Sequence, residues 1–319
     1  MQVDEASAAY YRSLSGELGD KLREVLSTED GETVMTIVEG RCPMWRQDGL
    51  CRIQAELGEA ALCKTCREFP RLTHDYGDFL ELGLELSCPE AAKFILNAAE
   101  VSMQETQVPG GEEPEYDIEA MDVLKSTRER ARRILAESDE NVGRTLAALL
   151  LWGYQAQGEL DGEPPAEFDK NTALSSVSDL VQRALSSEQQ SGFDEQNGHF
   201  LELGRFFSGL EILTEAWKDR LDAAGKAPLS PKVIPLARYL VDRYWLQAVS
   251  DYDLYCRVKF IVVSCILVSG LGGDFVETAQ LYSKEIENNI DNVEAILDAA
   301  YCHPAFTDDK ILGLLLASP

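Results

Sequence analysis

Arg41-Cys42-Pro43-Met44-Trp45-Arg46-Gln47-Asp48-Gly49-Leu50-Cys51-Arg52-Ile53-Gln54 opens a stretch that runs on through Leu62-Cys63-Lys64-Thr65-Cys66-Arg67-Glu68-Phe69-Pro70-Arg71 and closes at Leu86-Ser87-Cys88-Pro89. Five of the eight cysteines of the chain lie here, with eight, eleven, two and twenty-one residues between successive members. Soft thiolates gathered in this way bind zinc or an iron–sulfur cluster. The local charge suits that chemistry. Residues 41–71 hold six basic side chains (Arg41, Arg46, Arg52, Lys64, Arg67, Arg71) against four acids, in a chain whose net charge is −27. Nearby cations keep sulfurs deprotonated.

Outside this stretch the chain of 319 residues is long enough for one large core or two smaller ones. Its acidity argues against a general nucleic-acid binder and against an anionic membrane surface, since both would repel it. Solubility is the plainer use of that charge. Met1 to Arg12 lacks a basic region followed by an apolar run, so no export signal is expected there and the expected compartment is the cytoplasm. In that reducing setting disulfides are not expected, which favours metal for the cysteines. The most apolar run, Phe260 to Leu271, falls well short of the roughly 20 residues that span a bilayer and reads as a core helix.

The expected fold class is mainly α. The predicted order is an N-terminal helix and cysteine-rich metal-binding region over residues 1–103, a linker over 104–116, and an irregular all-helical domain over 117–319. Apolar spacing predicts one amphipathic helix over 4–27, N-capped by Asp4. Gly31 and Gly40 are breakers, Thr33 to Val38 reads as a short strand, and Asp48-Gly49 as a tight turn. A short helix weakened by Gly58 is expected from Ile53 to Leu62, with Cys51 and Cys63 near its ends. Partial apolar–acidic alternation from Tyr76 to Leu86 suggests a hairpin strand, and Pro89 suits the first turn of a helix through Ala99. Further helices are predicted over 117–137, 140–157, 172–187, 195–224, 232–249, 251–271, 274–288 and 290–301. Between them lie Gly- and Pro-rich loops, Ser191-Gly192 among them, and Gly272-Gly273 is read as a helix stop.

Several constellations have two readings. Cys63-Lys-Thr-Cys66 alone suits a redox pair, but no βαβ pattern surrounds it, and the second close pair of a zinc ribbon is missing. Iron–sulfur sites tolerate the varied spacing seen here, with zinc as the alternative metal. Cys256, Cys265 and Cys302 sit in apolar helical sequence and read as small buried hydrophobes. His74 follows the cluster closely enough to substitute as a ligand, although an exposed turn residue is the simpler reading. Arg67 and Arg71 carry forked donors suited to a carboxylate or phosphate; equally they pair with Glu68 or Asp75, or offset the thiolates. No phosphate loop, nucleophile elbow, metalloprotease helix or Cys-x-x-x-Cys-x-x-Cys run is present. The catalytic residues are therefore not legible from motifs.

The cysteine phrase, from Arg41-Cys-Pro through Gly49-Leu-Cys-Arg-Ile-Gln and Cys63-x-x-Cys-Arg-x-Phe-Pro-Arg to Leu86-Ser-Cys-Pro-Glu-Ala-Ala, resembles the flagellin lysine-N-methylase family. Asp251-Tyr-Asp-Leu, Val258-Lys-Phe and Ala279-Gln-Leu-Tyr-Ser-Lys-Glu-Ile-Glu resemble it too. The resemblance implies an iron–sulfur cluster of the four-iron type, S-adenosylmethionine as methyl donor, and flagellin lysines as acceptors. It makes Cys42, Cys51, Cys63, Cys66 and Cys88 the candidate cluster ligands; in the working mechanism Arg67 or Arg71 assists the cofactor. No nucleic-acid or membrane partner is expected. The family's compact upstream cysteine phrase would already have passed before Met1-Gln2-Val3-Asp4. Two non-catalytic readings stand beside this one: a helical interaction module stabilised by zinc or a cluster, and a shortened inactive paralogue.

Overall fold

The structure, a computed structural model, describes residues 1–29, 31–38, 41–98, 103–107, 111, 113–138, 140–177, 195–225 and 227–316. The chain divides into two compact units, Met1–Leu72 and Thr73–Pro319. It is mainly helical, as its sequence pattern implies, with two small antiparallel hairpins rather than one. The sequence-expected linker at 104–116 lies within the span of the second unit.

The first unit begins with two helices where one was expected. Helix α1 (Glu5–Ser13) is N-capped by Asp4, whose Oδ1 accepts from Ser7 N at 2.9 Å. Helix α2 (Gly16–Val25) starts afresh after Leu14 and Ser15. The break has a steric cause: Gly16 has φ +82°, a conformation that favours glycine, and the carbonyl of Leu14 stands where a side chain on Gly19 would lie. Amphipathic spacing alone does not reveal this break, because both helices turn the same apolar face inward. Strands β1 (Leu26–Glu29) and β2 (Glu32–Met35) pair antiparallel, Leu26 opposite Met35. Val3 N donates to Thr33 O and Met35 N to Met1 O, both at 2.8 Å, so the first residues run alongside β2. Helix α3 (Arg52–Leu57) ends at Gly58, φ +85°, and α4 (Lys64–Glu68) follows a short 3-10 turn. The breaker Gly40 lies outside the described residues.

Strand β3 (Arg71–Asp75) starts at the last two residues of the first unit and pairs, in the second, with β4 (Leu80–Leu84). Its outward row is apolar: Leu80, Leu82 and Leu84 are 48%, 74% and 37% exposed. Its inward row carries charge, with Glu81 accepting both guanidinium nitrogens of the buried Arg128 at 2.5 and 2.8 Å. Helix α5 (Pro89–Asn97) begins with proline as expected; Ala99 lies outside the described residues. Then come α6 (Ile118–Ala136), α7 (Val142–Leu160), α8 (170–177), α9 (Glu195–Ser208), α10 (Glu215–Asp222) and α11 (Val233–Tyr244). Helices α12 (Leu254–Gly270), α13 (Phe275–Tyr282), α14 (Ile290–Cys302) and α15 (Asp308–Leu316) complete it. The predicted helix 172–187 is described only to residue 177, and Ser191-Gly192 lies outside the described residues.

The predicted helix 195–224 is two helices, α9 and α10, for a specific reason. The carboxylate of Glu285, fully buried, accepts from Leu213 N at 2.7 Å and from Thr214 Oγ1 at 2.5 Å. This holds the intervening turn out of helical geometry, and Thr214 caps α10. Helix α12 is the centre of the core: from Cys256 to Gly270 every residue is buried. It packs on α7, α11 and α14. Its closest neighbour is α7, where Gly153 faces Val258 with no room for a side chain between them. Gly272 and Gly273, both at positive φ, end the helix as expected. No described helix is long and apolar enough to cross a membrane.

Candidate functional site

Four thiols of the cysteine stretch belong to one small core. Cys63 is buried in it, and Cys42, Cys51 and Cys66 pack against it beside Tyr11, Leu22, Met35, Met44 and Ile53. Local backbone geometry delivers each. Cys42 precedes a tight loop in which Arg52 N donates to Met44 O and Arg46 N to Leu50 O, with Gly49 at φ +80° confirming the Asp48-Gly49 turn. That loop bridges Trp45 to Cys51, which caps α3. Cys63 caps α4, and Cys66 follows on its first turn.

Two anchors fix the Cys63–Cys66 turn. Asp4 Oδ2 accepts from Lys64 N at 2.8 Å, so one carboxylate caps α1 and orders α4. Tyr11, fully buried, donates its hydroxyl to Ala61 O at 2.7 Å, and burial raises its pKa. Within the turn the Cys66 thiol donates to the Cys63 sulfur, which with the Cys66 N–H draws the Cys63 pKa down. The Cys66 thiol is correspondingly raised. Burial raises Cys42, opposed by the N–H of Met44. Two thioethers complete the surroundings: Cys42 Sγ lies 3.7 Å from Met35 Sδ, and Cys66 Sγ lies 3.6 Å from Met1 Sδ.

The donor set fits a soft metal in its chemistry: several thiols on one apolar core, one held toward thiolate, and backbone N–H groups directed at sulfur. Among the described residues, however, no group of three or more His, Cys, Asp or Glu side chains stands in the arrangement of a formed metal site.

The other expected residues divide. Cys88 belongs to the second unit, where it caps α5. Arg67 and Arg71 are exposed, and Arg71 Nη1 donates to Arg67 O at 3.2 Å rather than to Glu68 or Asp75. His74 is no exposed turn residue. It is half-buried in β3 of the second unit, where burial and the nearby Arg243 and Arg128 hold its pKa down. It lies near the Glu81–Arg128 pair and near Arg243, which donates to Tyr239 and pairs with Glu287. Cys256 and Cys265 are buried as predicted, whereas Cys302 is exposed at the last residue of α14.

One feature escaped sequence reading altogether. In the second unit, α7, α8, α12 and α15 enclose a pocket of about 310 Å³ with apolar walls that include Leu150, Leu151 and Leu312. Tyr154 and Tyr255, also part of its lining, meet edge to face 5.5 Å apart, and Asp308 and Asp309 complete it. The four elements that form it are up to about 160 residues apart in the chain, and no local pattern joins them.

Comparison with known proteins gives a partial relationship. A segment of 67 residues, 21% of this chain, is 43% identical to the flagellar biosynthetic protein FliU of Salmonella muenchen, covering 40% of that protein. The same length matches the lysine-N-methylases of Salmonella typhimurium and Salmonella choleraesuis at 43% identity, covering 17% of each. The match thus spans well under half the length of these relatives. No family model matches the chain. No solved structure matches it either.

Proposed function

We propose that this protein is a lysine N-methyltransferase acting on flagellin in the cytoplasm, with S-adenosylmethionine as donor and an iron–sulfur cluster of the four-iron type. The 43% identity to lysine-N-methylases and to a flagellar biosynthetic protein carries the proposal. The gathering of Cys42, Cys51, Cys63 and Cys66 on one core supports the metal. These four, all in the first unit, would hold the cluster. When bound, the cluster would offer an iron to the amino and carboxylate groups of the donor. Arg67 and Arg71, exposed and forked, would clasp the donor carboxylate. For polar transfer the acceptor lysine must be neutral when it attacks, so the site must desolvate it or remove its proton. The acidic surface would attract a lysine-bearing protein.

A second reading, a metal-stabilised interaction module, has its own support. The buried core of Met1–Leu72 is small, and units of this size commonly need a metal or a disulfide to hold them. One zinc would serve as the staple.

The test is metal and sulfide analysis of anaerobically purified protein, followed by incubation with flagellin and the donor. Iron and sulfide at about four each per chain, lost on Cys63→Ala, with methylated lysines found by mass spectrometry, would support the enzyme. One zinc, a colourless protein and unmodified flagellin would leave the module.

A further inference from the structure

We propose that β4 is a docking edge for an extended segment of a basic partner protein, which adds a strand beside Leu80–Leu84 and sets its alternate apolar side chains on the leucine row. The inference goes beyond the methylase reading and stands whether or not the protein transfers methyl groups.

Three observations converge on this occupant, and all lie within the second unit. The first is the backbone. Strand β4 has a single strand neighbour, β3, and among the described residues no backbone group of Leu80 to Leu84 is hydrogen-bonded outside that hairpin. One edge of the strand therefore presents a row of open N–H and C=O groups, the pattern that an added strand satisfies. Exposed edges are ordinarily blunted by lysine, proline or an inward charge. Leu80-Glu-Leu-Gly-Leu84 has neither lysine nor proline, and its one charge, Glu81, is already neutralised by the buried Arg128 and deters no neighbour. The second observation is the side-chain row. Leu80, Leu82 and Leu84 are exposed at alternate positions, which is the spacing of side chains on one face of a neighbouring strand. The third is charge. Asp78 precedes the row and Glu85 follows it, and among the described residues neither forms an ion pair. Asp78 Oδ1 accepts only from the Tyr116 hydroxyl at 2.7 Å, and Glu85 Oε2 from Ser87 Oγ at 3.0 Å. Each can take a cation flanking the apolar part of the incoming segment. The net charge of −27 attracts such a segment and repels both a second copy of the chain and an anionic bilayer.

The experiment is an NMR titration of the full chain, with leucine methyls labelled, against the peptide Lys-Val-Thr-Val-Thr-Val-Lys, capped at both ends. Two counterparts serve as controls: one with glutamates in place of the lysines, and one methylated at its backbone nitrogens. The expected result is saturable shifts of the Leu80, Leu82 and Leu84 methyls with the lysine peptide, weakening as salt rises, and little binding of either counterpart. Leu82→Thr, at an exposed position and with a residue that favours strands, should weaken binding about tenfold. Methylated peptide bound as tightly as its parent would rule out strand addition, and glutamate peptide bound as tightly would rule out a basic partner. No binding of the lysine peptide, or binding indifferent to Leu82→Thr, would overturn the assignment outright. A stable dimer in dilute buffer that Leu82→Thr dissociates would give the row to a second copy and overturn it too.

Discussion

Replacing Gly153 by alanine puts the α7–α12 contact to a quantitative test. A Cβ at Gly153 would lie 2.6, 2.8 and 2.8 Å from the three side-chain carbons of Val258, which is fully buried and central to the core. Overpacking at a rigid contact costs about 3 kcal/mol at the upper end of the usual range. The exchange of glycine for alanine inside a helix returns about 1 kcal/mol. A net loss of about 2 kcal/mol is expected, or a fall of about 4–8 °C in Tm for a unit of this size. Val258→Ala removes two carbons at about 0.8 kcal/mol each plus a small cavity term, again about 2 kcal/mol. Were the two independent, the double variant would lose about 4 kcal/mol. The geometry says otherwise, because the new methyl occupies space that Val258 vacates, and the double variant should lose no more than about 2 kcal/mol. Denaturant unfolding followed by tryptophan fluorescence can read this, since Trp152, Trp217 and Trp245 are all buried in the second unit. Additive losses, or an unchanged Gly153→Ala protein, would refute the close approach. The cycle also bears on the pocket, because Tyr154 adjoins Gly153 and Tyr255 lies one turn before Val258.

Three further outcomes are expected. Tyr11→Phe leaves the Ala61 carbonyl without its 2.7 Å donor and should cost about 1 kcal/mol in the first unit, read by thermal melting with Trp45 as reporter. Asp4 is held at about 2 against an ordinary 3.8, chiefly by the N–H of Lys64. Its contribution is therefore complete above pH 4 and disappears as pH falls toward 2, and Asp4→Asn should flatten that part of an acid titration followed by circular dichroism. Glu81→Gln strands the buried Arg128 guanidinium and should cost about 3 kcal/mol in denaturant unfolding, whereas Glu81→Leu with Arg128→Met should recover most of that loss; equal damage from both would contradict the buried pairing.

The sequence was most readable where chemistry is local. The Asp4 cap, the Gly49 turn, the Gly58 interruption and the Pro89 helix start each depend on a few adjacent residues, and each stands where the pattern puts it. The core helix α12 was readable because apolar residues fall on every side of it from Phe260 onward. Long-range contacts account for the failures. The turn between α9 and α10 is set by Glu285, some seventy residues downstream. In β4 the alternation gave the right period but not its direction: the buried Arg128 draws Glu81 inward, and the leucines are left outside. For the candidate site, spacing brought out the cysteines but not how they divide, with Cys88 in the second unit and the other four in the first. The pocket was invisible because its lining comes from four helices far apart in the chain, and its leucines read locally as ordinary core.

The inverted strand also bears on how the protein behaves in a tube. Leu80, Leu82 and Leu84 form an adhesive row on a molecule whose charge of −27 holds its copies apart. In dilute buffer that mutual repulsion dominates and the row has little opportunity to meet another. At about 0.1 M salt the screening length falls to about 10 Å, and at 1 M to about 3 Å. Colloidal stability should therefore fall as salt rises, with reversible self-association first and precipitation later, and an arginine or lysine in place of Leu82 should move that onset to higher ionic strength.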